Sequence, residues 1–349
     1  MKFDYLIVGS GLSSLMLCEA LRKRGKTFMV VSNRSQQASI VASGLYNPVV
    51  LKRFNKAWDA DQQTPLALST YADLEILLNI KIDDQRPIYR VFHSIEEQNN
   101  WFLACDKPDL TPFLVSKIIN NDNPKINAPF GLGKVNQTGR IDTKLLLDCY
   151  RNHLKSKALF IEETFDYSKL DLERKINYKG IKANKLIFAE GFGMKQNPFF
   201  QNLPLEGTKG ELLVIYAPAL KSNVILKSSV FVIPTAKDHY LVGSTYAWKD
   251  FGHCPTEAAK NELLDKLKTL INCSFDIVQQ KAGIRPTVAD RRPLVGQHKS
   301  YKNLYILNGL GSRGVLIAPT VAKNLIDFIE DGIPLSDEIN INRFKAPLQ

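Results

Sequence analysis

Gly9-x-Gly11-x-x-Ser14 lies between an apolar run, Phe3 to Val8, and a helical stripe that begins at Leu12. That context suits a dinucleotide pyrophosphate. The first glycine permits the turn and the second lets backbone approach the anion. The amides of Leu12, Ser13 and Ser14 then face it along the helix dipole. Ser14 is small enough for close helix–strand packing and brings a hydroxyl. The next strand ends in Val30-Val31-Ser32-Asn33-Arg34, without the carboxylate that usually holds the adenosine ribose. Ser32 and Asn33 are left to bond the ribose, and Arg34 would admit a 2′-phosphate, so NADP stays open at this point. Metal chemistry and hydrolysis find no support. The five histidines (His93, His153, His239, His253, His298) fall in no ligand spacing, the five cysteines form no C-x-x-C pair, and no Ser/His/Asp order stands out.

The elements needed to position such a turn are legible. Phe3 to Val8 and Phe28 to Val31 read as buried strands, with a helix over Leu12 to Arg24 stopped by Gly25, so one βαβ unit is complete by residue 32. Ser35 to Gly44 reads as a polar loop and Thr64 to Leu78 as a helix. Arg86 to Gly133, rich in Pro, Asn and Asp, reads as an irregular insertion. Ile141 to Ser156 is a helix with Asp142 as N-cap. Residues 206–246 alternate short β-prone runs with turns, the pattern of an antiparallel sheet. A helix over Pro255 to Ile271 and a strand over Ile277 to Pro286 follow. The chain then returns to strand (Leu304 to Leu307), glycine turn (Asn308 to Gly314) and helix (Val315 to Glu330). The expected class is α/β: a Rossmann-type nucleotide-binding domain made from both chain ends, interrupted by a discontinuous antiparallel-sheet (α+β) domain.

Composition narrows the setting. At 349 residues with 44% apolar and 23% charged side chains, the chain can bury about two domains' worth of core without disulfides or metals. No apolar run approaches the ~20 residues of a membrane span, and Asp4 interrupts anything resembling a secretory signal. Scattered free thiols fit the cytoplasm. Forty-six Lys and Arg against thirty-five Asp and Glu leave a charge of +11, which draws anionic partners or simply reflects a lysine-rich solvated surface.

Several segments in order resemble the D-amino-acid-oxidase-like superfamily of FAD-dependent oxidoreductases, the glycine and sarcosine oxidases and their relatives. They are the N-terminal motif, Ala42-Ser43-Gly44-Leu45-Tyr46-Asn47-Pro48, Thr208-Lys209-Gly210-Glu211 and Val242-Gly243-Ser244-Thr245-Tyr246. The strongest pair is Ala282 to Gly296, with Arg285-Pro286-Thr287 and Asp290, followed by Asn308 to Gly314. Within the superfamily, Leu310 to Gly314 and Leu45-Tyr46 look most like the FAD-dependent domain of a bifunctional tRNA wobble-uridine modification enzyme. The resemblance implies noncovalent FAD, since Gly283 stands where sarcosine oxidases carry their flavin-linking cysteine. It also implies an FAD-binding domain from residues 1–80, 134–205 and 278–349, and a substrate domain from 81–133 and 206–277.

The implied cofactor contacts are Gly9, Gly11, Leu12, Ser13, Ser14, Ser32, Asn33, Ala42, Ser43, Gly44, Leu45, Gly191, Gly309, Gly311, Ser312, Arg313 and Gly314. Tyr46 and Asn47 are further candidates under the flavin. Such enzymes oxidise a C–N bond beside a carboxylate to an imine, with hydride transfer to flavin and oxygen as re-oxidant. Arg285 matches the family's carboxylate-binding arginine, whose planar fork accepts both oxygens; otherwise it would pair with Asp290. Gly309, Gly311, Ser312 and Gly314 open the last helix, whose amides can face charge developing on the ring. Arg313 adds positive charge there or reaches the substrate, and Tyr246 lines the substrate cavity or sits in the core. Arg285, Tyr246 and Arg313 are the candidate catalytic residues. The substrate is a small amino acid or amine, or the carboxymethylaminomethyl arm of a tRNA wobble uridine. Competing readings are an NAD(P)-dependent dehydrogenase and a flavin-carrying redox sensor without turnover. No membrane or metal partner is expected.

Overall fold

The structure, a computed structural model, describes residues 1–172 and 175–344. Its first sheet has a parallel centre in the order Phe160–Ile161, Phe28–Val31, Lys2–Val8, Ile181–Phe188 and Leu304–Asn308. Leu294–Gln297 adds an antiparallel edge beside Leu304–Asn308, and Ile176–Tyr178 pairs antiparallel with the start of Ile181–Phe188. The parallel strands are apolar on both faces because both are covered. Tyr5, Ile7, Val30, Ile187 and Leu307 face the helices Leu12–Lys23, Ala60–Leu78, Thr143–Ser156 and Gly314–Asp331. Leu6, Val8, Met29, Phe188 and Ile306 face a layer of Phe165, Tyr178, Phe200 and Leu203.

The second sheet runs Asp276–Val288, Leu205–Tyr216, His239–Gly243, Phe231–Ala236, Ile225–Lys227, Ile88–Val91, Leu132–Val135. All neighbours are antiparallel except Ile225–Lys227 beside Ile88–Val91. Leu263 and Leu267 of the helix Glu257–Lys268 cover one face, and Trp101 of the helix Ile95–Cys105 covers the other.

Five local expectations need amending. The stretch 86–133 is not irregular throughout: it holds a strand and the helix Ile95–Cys105, capped where the Ser94 hydroxyl accepts from the Glu97 amide. The loop after residue 35 contains a short helix, Ala38–Val41. The third helix starts at Ala60, with Pro65 inside it rather than near its beginning. Finally, Asp276–Val288 pairs along its whole length with Leu205–Tyr216, so the piece drawn from residue 278 begins inside a strand of the second sheet. The boundary drawn at 133 likewise cuts the strand Leu132–Val135.

Candidate active site

The expected cofactor residues gather at the carboxyl ends of the parallel strands, where ligands of open α/β sheets bind. Gly9 adopts φ +116°, and a Cβ there would sit 2.2 Å from the Ala189 carbonyl oxygen. Only glycine fits that crossing. The Leu12 amide donates to the Ser39 hydroxyl (3.2 Å), while the Ser13 and Ser14 amides find no partner among the described residues. Two unpartnered donors at a helix N-terminus make an anion cradle. Ser32, buried at the end of its strand, lies 2.9 Å from the Ser10 hydroxyl. Asn33, by contrast, spends its side chain on Thr164 and on the Ser35 amide, and Arg34 pairs with Glu162 at 3.2 Å. Of the residues expected at the ribose, only Ser32 therefore faces the turn.

A second glycine turn meets the first. Gly314 lies against Leu12, its Cβ position 3.6 Å from Leu12 Cδ2, so the N-termini of the helices Leu12–Lys23 and Gly314–Asp331 converge. Asn308, 1% exposed, donates to the Gly191 carbonyl (2.8 Å) and accepts from the Gly309 amide (2.8 Å). It ties the loop after Ile181–Phe188 to this turn. Gly44, at φ +77°, passes so close to the Ile141 carbonyl that no side chain is admissible, and Arg140 holds the Ser43 carbonyl at 3.0 Å. Ala42 to Leu45 is thereby fixed beside the site. Tyr46 is buried with its hydroxyl on Asp83 at 2.9 Å, and Asn47 accepts from the Val49 amide.

The long strand pair delivers the arginine. Its register sets Arg285 opposite Thr208 and Gly283 opposite Gly210, and the Arg285 side chain lies across Gly210. A Cβ on Gly210 would fall 2.0 Å from Arg285 Nη2. Nη2 donates to the Ser244 hydroxyl (2.8 Å), Nη1 donates to the Thr245 carbonyl (3.3 Å), and the guanidinium stacks 4.5 Å from the Tyr246 ring centroid. No carboxylate pairs with Arg285 among the described residues. Asp290, the alternative partner, is taken by Arg343 at 2.7 Å. Burial holds the Arg285 guanidinium below the usual arginine range, and the Tyr246 side chain partly offsets this. Tyr246 is 58% exposed and so is no core tyrosine.

The turn Gly311–Arg313 packs beside Thr287, the Cβ position of Gly311 lying 3.8 Å from Thr287 Cγ2. This brings Arg313 near the strand that carries Arg285. Burial lowers its pKa, and the neighbouring positive charges of Arg291 and Arg292 lower it further. Gly191, Ser312 and Gly314 stand on the same rim. Gly283 is buried beneath the short helix, 3.3 Å from Val41 Cβ at its Cβ position.

Sequence reasoning missed Gly210, Ser244, Asn308 and Ser39 as members of the site. The first three lie inside quoted segments, but their roles depend on contacts more than 40 residues apart in the chain for Ser244 and further for the others.

Residues 4–328 match the model of the FAD dependent oxidoreductase family DAO, and the chain belongs to that family. Its cofactor is FAD, which the Gly9 turn and the unpartnered Ser13 and Ser14 amides, beside the converging N-terminus of Gly314–Asp331, fit. Among its relatives, the glycine oxidase of Pseudomonas aeruginosa is 26% identical over 162 residues, 45% of this chain and 44% of that protein. The tRNA 5-methylaminomethyl-2-thiouridine biosynthesis bifunctional protein MnmC of Haemophilus ducreyi is 24% identical over an alignment covering 96% of this chain and 57% of that protein. Both matches span less than two thirds of the relative's length. The crystal structure of glycine oxidase from Geobacillus kaustophilus superimposes with a TM-score of 0.76 at 19% identity, covering 95% of each chain; that likeness is one of fold.

Proposed function

We propose that this chain oxidises the C–N bond of an amine bearing a carboxylate on the adjacent carbon, a free amino acid or an N-substituted glycine, to an imine that water hydrolyses. The observation that carries this is the half-buried Arg285 guanidinium, without a carboxylate partner among the described residues, braced by Ser244, the Thr245 carbonyl and Tyr246. A buried cation left unpaired is costly unless a ligand completes it. A substrate carboxylate would complete it and give the bidentate geometry that orients the α-carbon. FAD, held noncovalently at the Gly9 turn, would supply the hydride acceptor, with oxygen as the proposed terminal oxidant. The amides at the start of Gly314–Asp331 and the Arg313 side chain favour negative charge building at their end of the site. Arg285, Tyr246 and Arg313 are the residues to which substrate contact is assigned, and the cytoplasm is the proposed compartment.

A second reading within this chemistry takes the glycine-like arm of a tRNA uridine as substrate. It is favoured by an alignment to MnmC that covers 96% of this chain, the net charge of +11, and the exposed rings of Tyr246, which stacks on Arg285, and of Trp248 and Phe251 in the segment that follows it. Such rings suit base stacking. The test is anaerobic mixing of the FAD-loaded protein with glycine, sarcosine, D-alanine, proline and carboxymethylaminomethyl-modified tRNA, read as loss of flavin absorbance. Bleaching by one of these, abolished in Arg285→Met with FAD retained, is the expected result. No bleaching by any of them would leave a flavin-carrying sensor as the better account. Bleaching by the tRNA alone, with binding that weakens steeply with salt, would select the second reading.

A further inference from the structure

Segment 245–256 arches from the end of the strand His239–Gly243 to the helix Glu257–Lys268 and carries Tyr246, Trp248 and Phe251 on its exposed side. It has little regular structure of its own. Two buried charges hold it down. Lys209 is 1% exposed. Its backbone exchanges both hydrogen bonds with Ala247 (2.8 and 2.9 Å), and its Nζ donates to Asp250 Oδ2 (2.7 Å) and to the Cys254 carbonyl (2.7 Å). The same ammonium lies 3.5 Å from Glu211 Oε1.

Glu211, 2% exposed, grips the two ends of the arch. Its backbone carbonyl accepts from the Thr245 amide (3.2 Å), and its own amide donates to the Thr245 hydroxyl (2.9 Å). Its carboxylate accepts from the Thr256 amide and hydroxyl (2.9 Å each) and from Gln280 Nε2 (2.8 Å). One ammonium thus reaches the middle of the arch while one carboxylate reaches the far end. Thr245, which Glu211 holds through its amide and its hydroxyl, is the residue whose carbonyl accepts from Arg285.

We propose that Lys209 and Glu211 are positioning residues for substrate, clamping the arch so that Thr245 and Tyr246 hold the Arg285 guanidinium in a carboxylate-binding pose. The proposal rests on the reading of Arg285 given above. A purely structural ion pair would stabilise the sheet without altering what the guanidinium can bind. Burying an ammonium is costly and is tolerated only where every donor is satisfied. Lys209 places two of its short bonds on the arch rather than on the sheet. Arginine retains a cation at this position and methionine does not, so the pair of variants separates charge from bulk.

The experiment uses the FAD-loaded protein and two readouts: hydrogen exchange of the arch amides, and the affinity for glycolate followed by perturbation of the flavin spectrum. In Lys209→Met the Gly252 and Thr256 amides should exchange about tenfold faster, as local opening becomes easier, and glycolate should bind roughly tenfold more weakly. FAD content and exchange in the strand Phe231–Ala236 should stay at wild-type levels, and Lys209→Arg should restore both readouts. Asp250→Asn, at a side chain 44% exposed, should shift both readouts in the same direction and carries the test if Lys209→Met does not fold. Wild-type exchange and wild-type glycolate affinity in these variants would overturn the clamp. A wild-type protein that binds no glycolate would count against the Arg285 reading instead, and the exchange data would still decide whether the arch is held by Lys209.

Discussion

Gly210→Ala is the sharpest test of how the guanidinium is seated. The added methyl would begin 2.0 Å from Arg285 Nη2 and 2.2 Å from Cζ. Ordinary heavy-atom contact is about 3.5 Å, so the guanidinium must withdraw by roughly 1.3–1.5 Å. The Gly210 backbone is not left-handed and the obstructing atoms end a flexible side chain, so the fold should survive with little loss. The withdrawal breaks the 2.8 Å bond to Ser244 and the stacking on Tyr246. A displacement of about 1 Å at a positioning group costs on the order of 100-fold in rate. The expected outcome is a fall of about that size in kcat/KM for the substrate that bleaches the flavin, with Tm and FAD content near wild type. Steady-state kinetics beside thermal melts give both numbers. An unchanged kcat/KM in a folded Gly210→Ala protein would show that the seat of Arg285 against Gly210 has no bearing on substrate.

Asn308→Ala should loosen FAD: it removes buried bonds to the Gly191 carbonyl and the Gly309 amide, worth about 1–3 kcal/mol. A rise of about tenfold or more in the FAD dissociation constant, by fluorescence titration of apoprotein, is expected, and an unaltered constant would count against this tie. Glu330 sets an acid limit on stability. Burial opposes its ionisation, yet bonds from Lys185, Lys26 and Tyr5 lower its pKa from 4.5 to about 2. A depressed folded-state pKa gives stability that is fully present above pH 4.5 and is lost as pH falls towards 2. Glu330→Gln should therefore cost roughly 2–3 kcal/mol at neutral pH. The Tm difference from wild type should close between about pH 5 and pH 2, and a constant gap across that range would contradict the assignment.

Much of the nucleotide-binding half was legible because its signals are local. The apolar strands, the Gly9 turn and the Asp142 cap each sit within a few residues of the element that they define; Asp142 accepts from Leu145 as its position suggests. The helix Ile95–Cys105 was lost among prolines and asparagines, although Ser94-x-x-Glu97 carried a capping pattern. Arg285, Tyr246 and Arg313 could be nominated by resemblance. What seats them could not, because Gly210, Ser244 and Lys209 act across sheet register and an arch that composition does not reveal. The same holds for Asp290: its place five residues after Arg285 suggests a pair, and only the folded chain shows Arg343 occupying it. Ser32 and Asn33 are neighbours in sequence, yet the backbone sends one to the glycine turn and the other to Thr164.

The central claim is tested most directly by a crystal structure of the FAD-loaded protein soaked with glycolate. The account predicts the carboxylate within hydrogen-bond reach, about 3 Å, of the Arg285 guanidinium. It also predicts the cofactor's pyrophosphate at Ser13 and Ser14 and its ring beside the turn Gly311–Arg313. Density for the acid elsewhere in the protein, with Arg285 unoccupied, would contradict it.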